Sequence, residues 1–251
     1  MAEQVLIEVC VDSVSSAVAA ERGGAARVEL CCDLAEGGVT PSAGLIEVVR
    51  SRISIGLQVI IRPRGGDFCY ELEEFEVMQK DVALAKELGA DGVVFGVLCT
   101  NGHIDVPRTR ALVDQARPMN MTFHRAFDMS VDLSRGLEDV CATGADRLLT
   151  SGGEQHCLKG ADTIARLVAA SRGRIAIMAG GGIGHGNVAE ILERTGVPEI
   201  HAGLSTPVAS PMLHRNLRVS LGKSSGSEYA RTRVLEQNVR KLVNAVSLAR
   251  A

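Results

Sequence analysis

The sequence predicts a (β/α)8 barrel, on three observations. Eight short β-rich runs alternate with eight helix-like runs, and their starts recur at intervals of roughly 20 to 36 residues, the cadence of strand–helix units. No proline-rich linker or composition break divides the 251 residues, so one domain over 1–251 is expected, with a loop and helix from about 204 to 251 completing it. A doubly wound open sheet usually has fewer strands at this length and a nucleotide loop after strand one; here that place holds Cys10-Val-Asp12.

The elements follow in order. Strand one is Val5–Cys10, and Asp12 or Ser13 can cap a helix carrying Val14, Ala17 and Val18, which Gly23-Gly24 can end. Strand two is Arg27–Cys32. The turn Gly37-Gly38-Val-Thr-Pro41-Ser42 leads to a helix through about Arg52, with Ile46, Val49 and Ile53 on its apolar stripe. Strand three, Gln58–Arg62, opens into the polar loop from Pro63 to Tyr70, before a helix with Leu72, Phe75, Met78, Val82 and Leu88 at helical spacing. Strand four is Gly92–Gly96, and Pro107 suits the first turn of a helix reaching about Arg117. Strand five is Asn120–Arg125, followed by a helix with Leu133, Leu137 and Val140 inward. Strands six and seven, Arg147–Thr150 and Arg174–Met178, end in the small-residue turns Ser151-Gly-Gly153 and Ala179-Gly-Gly-Gly-Ile183, and Asn187 can cap the helix after the second. After strand eight, Glu199–Gly203, a loop from Leu204 to about Ser225 contains Pro207 and Pro211, and a last helix starts at about Ser227.

Composition removes several classes. Net charge is −3 with both signs interspersed, and aromatic residues are 3% with no Trp, so the basic stripe and stacking rings of a nucleic-acid binder are missing. No apolar run approaches the roughly 20 residues of a membrane span, and Met-Ala-Glu-Gln-Val enters a strand without a basic and apolar leader; a cytosolic or nuclear protein is expected. Seven cysteines, an odd number in a chain of this size, read as reduced thiols. Cys141 falls on an apolar helix side, Cys69 and Cys157 lie in loops, and Cys99 follows a strand.

Chemistry in such a barrel sits at the strand C-termini. Two strands end in Glu-x-Cys, and alternation puts Glu8 with Cys10, and Glu29 with Cys31, on one face. Neighbouring parallel strands are roughly 4.8 Å apart, close enough for two thiolates to share a soft metal, with low coordination suiting Cu(I) and four ligands suiting zinc. Equally, two small thiols can simply fill the mouth. Neither Cys-x-x-Cys nor a His-x₃₋₅-His spacing is present, which speaks against a structural zinc motif. A second constellation is Arg62, Arg64 and the glycine turns at 152 and 180–182, whose N–H groups can hold a phosphate or carboxylate. Should the chain be an enzyme, Arg62 grips a small anion and His124 moves protons with Glu8, Glu29 or Asp128 as partner. His201 is one more polar strand end. No lysine ends a strand, which argues against Schiff-base chemistry.

The segments Glu8-Val-Cys-Val-Asp-Ser13, Gly23–Cys31, Glu36-Gly-Gly-Val-Thr-Pro-Ser42, Ile61–Phe68, Thr122-Phe-His-Arg-Ala-Phe-Asp128 and Gly180-Gly-Gly-Ile183 resemble the CutC copper homeostasis family over nearly the whole chain. The resemblance implies a self-associating (β/α)8 barrel, a dimer or tetramer, located in cytoplasm and, in animals, nucleus, that binds Cu(I). It places the copper ligands proposed for animal members on Cys10 and Cys31. Cys32 stands where relatives often have a serine or other small residue, either as a third thiolate or pointing outward. Ala179 stands where proline is common, which loosens that turn.

Overall fold

The computed structural model describes residues 5–216, 218–219 and 229–250. Eight strands, β1 (Leu6–Val11), β2 (Arg27–Leu30), β3 (Gly56–Ile60), β4 (Gly92–Phe95), β5 (Asn120–Phe123), β6 (Arg147–Thr150), β7 (Ala176–Gly180) and β8 (Glu199–Ala202), close into a barrel in sequence order. Every neighbouring pair is parallel, and the ring closes where Leu6–Val9 of β1 lie in register with Glu199–Ala202 of β8. Between the strands run α1 (Val14–Arg22), α2 (Ala43–Arg50), α3 (Leu72–Glu87), α4 (Val106–Ala116), α5 (Leu133–Thr143), α6 (Ala161–Ser171) and α7 (Val188–Thr195). The predicted fold class is the observed one. None of the described helices is long and apolar enough to cross a membrane.

Local chemistry accounts for the starts and stops. Ser13 caps α1 by accepting the Ser16 N–H at 3.3 Å, and Gly23-Gly24 ends it. Pro107 lies in the first turn of α4. Asn187 holds the position before α7, but its carboxamide turns back to the Gly184 N–H (2.9 Å) and Gly182 carbonyl (2.8 Å), buckling the loop instead of capping the helix. Strand five stops at Phe123 rather than Arg125, because Arg125–Met129 winds into a 3-10 turn. β7 runs on through Ala179, which is paired with Thr150 and Ile200 inside the sheet and so does not loosen a turn.

The C-terminal segment departs from expectation. Ser205–Ala209 forms β9 and Ala230–Val234 forms β10, an antiparallel ribbon outside the barrel, and α8 spans Glu236–Ala249. The expected helix start at Ser227 lies outside the described residues, and Ala230–Val234, expected helical, is strand.

Alternation divides each barrel strand between two environments. Val9, Val28, Val59, Val93, Leu148 and Ile200 are completely buried in the main core between sheet and helices. The opposite face carries Glu8, Arg27, Glu29, Gln58, Thr122, Arg147, Glu199 and His201. Arg27 of β2 bonds Glu199 of β8 and reaches Met178 Sδ of β7 at 3.1 Å, contacts that cross the barrel interior. This barrel is therefore lined by charged and polar groups interleaved with Ile60, Val94, Leu149 and Met178, which share the inward face.

Candidate metal centre

Cys10 and Cys31 occupy the inward face of β1 and of the segment leaving β2. Cys10 is in register with Glu29, so Cys31 lies one pleat further along, and sheet spacing puts the two Cα atoms about 8 Å apart. Their side chains lean together all the same, and the sulfurs stand 3.7 Å apart. Cys31 Sγ is also 3.4 Å from Glu29 Oε2. Gly38 lets the following loop lie on this pair: its φ is +91°, and a Cβ there would come within 3.3 Å of both Cys31 Sγ and Ile60 Cδ1. Cys10 keeps 9% exposure while Cys31 keeps 1%, so approach from the mouth reaches Cys10 first. Cys32 is exposed and bridges Val39, outside the group formed by Cys10, Glu29 and Cys31, whose donor atoms lie within 4.8 Å of one another.

The partner that sequence reasoning passed over is His201. Barrel closure sets it beside Glu8 in the β1–β8 register, where its Nδ1 lies 2.7 Å from Glu8 Oε1 and its Nε2 3.7 Å from Glu29 Oε2. Beneath it, Arg27 Nε donates to Glu8 Oε2 at 2.5 Å and Arg27 also pairs with Glu199, which takes a 2.5 Å bond from Arg147 Nε. The only signal in the sequence was position: a polar residue ending strand eight becomes a neighbour of strand one once the ring is closed.

Electrostatics sort the protons in this cluster. For Glu8, burial raises the pKa, but the charge of Arg27 and the bond from His201 outweigh it and bring the value to about 2. Burial pushes Glu29 up to about 8, against the charge of His201. The hydrogen bond from Cys31 brings Cys10 down to about 5, with His201 helping against burial. Cys31, the donor in that bond and buried as well, is raised well above an ordinary thiol. Burial would lower His201; its bonds to Cys10 and Glu8 and the charge of Glu29 raise it well above the usual imidazole value. At neutral pH the mouth thus holds an imidazolium facing a thiolate, with the second thiol protonated.

The other candidate residues stand elsewhere. His124, at the end of β5, is four strands from Glu8 in either direction around the ring. Its Nδ1 accepts the Ala126 N–H at 3.3 Å, and burial and the charge of Arg62 bring its pKa to about 3. Arg62 donates to three backbone carbonyls, Glu36 (2.7 Å), Gly38 (2.9 Å) and Gly66 (2.8 Å), and lies over the Phe68 ring at 4.9 Å. Asp128 accepts from Thr150 Oγ1 (2.5 Å), Ser151 N (3.0 Å), Gly153 N (3.0 Å) and Arg125 Nε (2.8 Å). In the Gly152 turn that was expected to hold an anion, the Ser151 and Gly153 N–H groups are thus turned to this carboxylate and the Gly152 N–H to Thr150 Oγ1 (2.9 Å), and Arg62 faces the loops after β2 and β3 instead.

The similarity of the chain to known proteins lies in its family and its fold. The profile of the CutC family matches residues 5–206. The human copper homeostasis protein cutC homolog is 48% identical over 243 residues, covering 96% of this chain and 89% of that one. A CutC family protein of Chromobacterium violaceum is 46% identical over 244 residues, covering 97% and 99%. The crystal structure of CutC from Streptococcus agalactiae superposes with a TM-score of 0.74 at 33% identity, over 79% of this chain and 98% of that one. Matching along most of its length in sequence and fold, the chain belongs to the CutC family.

Proposed function

We propose that this chain binds Cu(I) through Cys10 and Cys31 at the C-terminal mouth of the barrel, and serves intracellular copper buffering or transfer. The observation that carries the reading is the pair of inward-facing sulfurs 3.7 Å apart, one partly accessible from the mouth. Thiolates select soft Cu(I), which is satisfied by few ligands, and the human and mouse relatives bear the name copper homeostasis protein cutC homolog. Copper is cargo here, so a site open on one side suits capture and release. Titration of reduced protein with Cu(I) against a competing chelator is expected to give one ion per chain, and the Cys10→Ala, Cys31→Ala double variant is expected to lose it. Retention of parental affinity by the double variant would sink the assignment. In keeping with the family resemblance, self-association as a dimer or tetramer in the cytosol belongs to the same reading, and light scattering on the reduced chain tests it.

The enzyme reading, a reaction on a small anionic compound with Arg62 and His124, has less behind it. Arg62 and Asp128 are engaged with backbone, and no hydrogen bond joins His124 to either glutamate among the described residues.

A further inference from the structure

Cys10, Glu29 and Cys31 bring three donor atoms within 4.8 Å of one another in the barrel interior, and His201 of β8 stands beside Glu29. Elementary coordination geometry predicts what distances a tetrahedral zinc-class ion would require between them. With Zn–S near 2.3 Å and Zn–N or Zn–O near 2.0 Å, the S–S edge is about 3.8 Å, the S–O edge about 3.5 Å and the N–O edge about 3.3 Å. The chain holds 3.7 Å between Cys10 Sγ and Cys31 Sγ, 3.4 Å between Cys31 Sγ and Glu29 Oε2, and 3.7 Å between Glu29 Oε2 and His201 Nε2.

The surroundings of His201 are those of a metal-bound imidazole. Its Nδ1 is fixed at 2.7 Å on the Glu8 carboxylate, which in turn is held by Arg27, so Nε2 is aimed at the cluster. Carboxylate support of this kind sets the tautomer and orientation of ligating histidines. Cu(I) held by two thiolates has no need of the carboxylate and imidazole, whereas a borderline divalent ion uses all four.

We propose that Cys10, Cys31, Glu29 and His201 form a mixed two-sulfur, one-oxygen, one-nitrogen centre for a divalent zinc-class cation, so that the copper site doubles as a four-coordinate divalent site. The sequence spacing could not reveal it, because the donors come from three strands that only the closed ring brings together. The proposal rests on the two cysteines being metal ligands, and adds Glu29 and His201 to them.

Cobalt(II) titration of the reduced full chain, followed by zinc(II) competition, tests it. The expected result is the intense visible spectrum of four-coordinate cobalt with thiolate charge-transfer bands, abolished by zinc and by the Cys10→Ala, Cys31→Ala double variant. Glu29→Gln and His201→Gln are each expected to weaken cobalt and zinc binding about tenfold or more, with circular dichroism and a cooperative urea transition as the check that each variant folds. Unchanged divalent affinity in both single variants, or a weak octahedral cobalt spectrum in the parent, overturns the proposal. X-ray absorption on the zinc-loaded parent needs no variant: two sulfur and two lighter scatterers are expected, and a shell with no sulfur or only sulfur overturns it. Cobalt binding without Cu(I) binding would leave this centre standing and remove the copper reading alone.

Discussion

Cys10 and Cys31 are chemically identical and 3.7 Å apart, yet the shared contact and their different surroundings hold Cys10 below and Cys31 above an ordinary thiol. The bond from Cys31 is the largest influence on Cys10, bringing it to about 5. Alkylation of Cys10, followed by mass spectrometry from pH 4 to 9, is therefore expected to keep its rate well below the range in which ordinary thiols fall silent. In Cys31→Ala the profile should move upward, since the donor is gone; an unmoved profile would show that the shared proton is not what tunes Cys10. A second residue-scale test concerns Gly96. A Cβ there would lie 2.8 Å from His124 Nδ1 and 2.9 Å from Phe123 Cε1, so Gly96→Ala is expected to cost about 1–3 kcal/mol in urea unfolding. Residue identities at this scale were largely legible: Glu-x-Cys at two strand ends names three of the four clustered donors. His201 was not singled out, because its importance depends on a neighbour 193 residues away.

At the scale of elements, register decides what the two sulfurs can do. Because Cys31 sits a full pleat beyond the residue paired with Cys10, their Cα atoms are about 8 Å apart, outside the range of about 4.4–6.8 Å that a relaxed disulfide needs. Mild oxidation with glutathione disulfide is expected to leave both thiols titratable; a Cys10–Cys31 cross-link in peptide mapping would show that the strands slide more freely than their ladder implies. The same register reasoning explains which elements could be read in advance. The barrel strands are apolar runs with turn formers at both ends, so their existence was plain even where ends shifted by two residues, as in β3 and β7. β9 and β10 were misread for the opposite reason. Ser205–Ala209 and Ala230–Val234 are mostly exposed, carry Pro207, Arg231 and Arg233, and bury only Val234 fully, so no apolar alternation marks them. Pro207 is tolerated because an isolated two-stranded ribbon has edges on both sides.

For the whole molecule, the interior charges govern how closure depends on pH. Arg27 joins Glu8 of β1 and Glu199 of β8, at the seam where the ring closes, and its side chain is 6% exposed. Arg27→Met would take one of two cationic partners from each carboxylate, leaving Glu8 to His201 and Glu199 to Arg147, and is expected to cost about 1–3 kcal/mol in urea unfolding. A cost below 1 kcal/mol would mean that the seam is held by backbone pairing alone. Acid acts on the same interior through two groups whose signs agree. Glu8, held near 2 when folded against 4.5 ordinarily, contributes stability above about 4.5 that is lost as pH falls toward 2. His124 is held near 3 against 6.5, so between those values the unfolded chain binds a proton that the folded chain refuses. Its effect is nil above 6.5 and grows, as pH falls, by about 1.4 kcal/mol per pH unit. Subtracting the urea-unfolding free energies of His124→Asn from those of the parent isolates this contribution, since Glu29, His201 and the cysteines titrate in both. The difference is expected to be flat from pH 8 to 7 and to slope against the parent from about 6.5 to 5. A flat difference throughout would mean that His124 takes up its proton while folded, and that Phe68, Arg62 and the β5 end give way to let it do so.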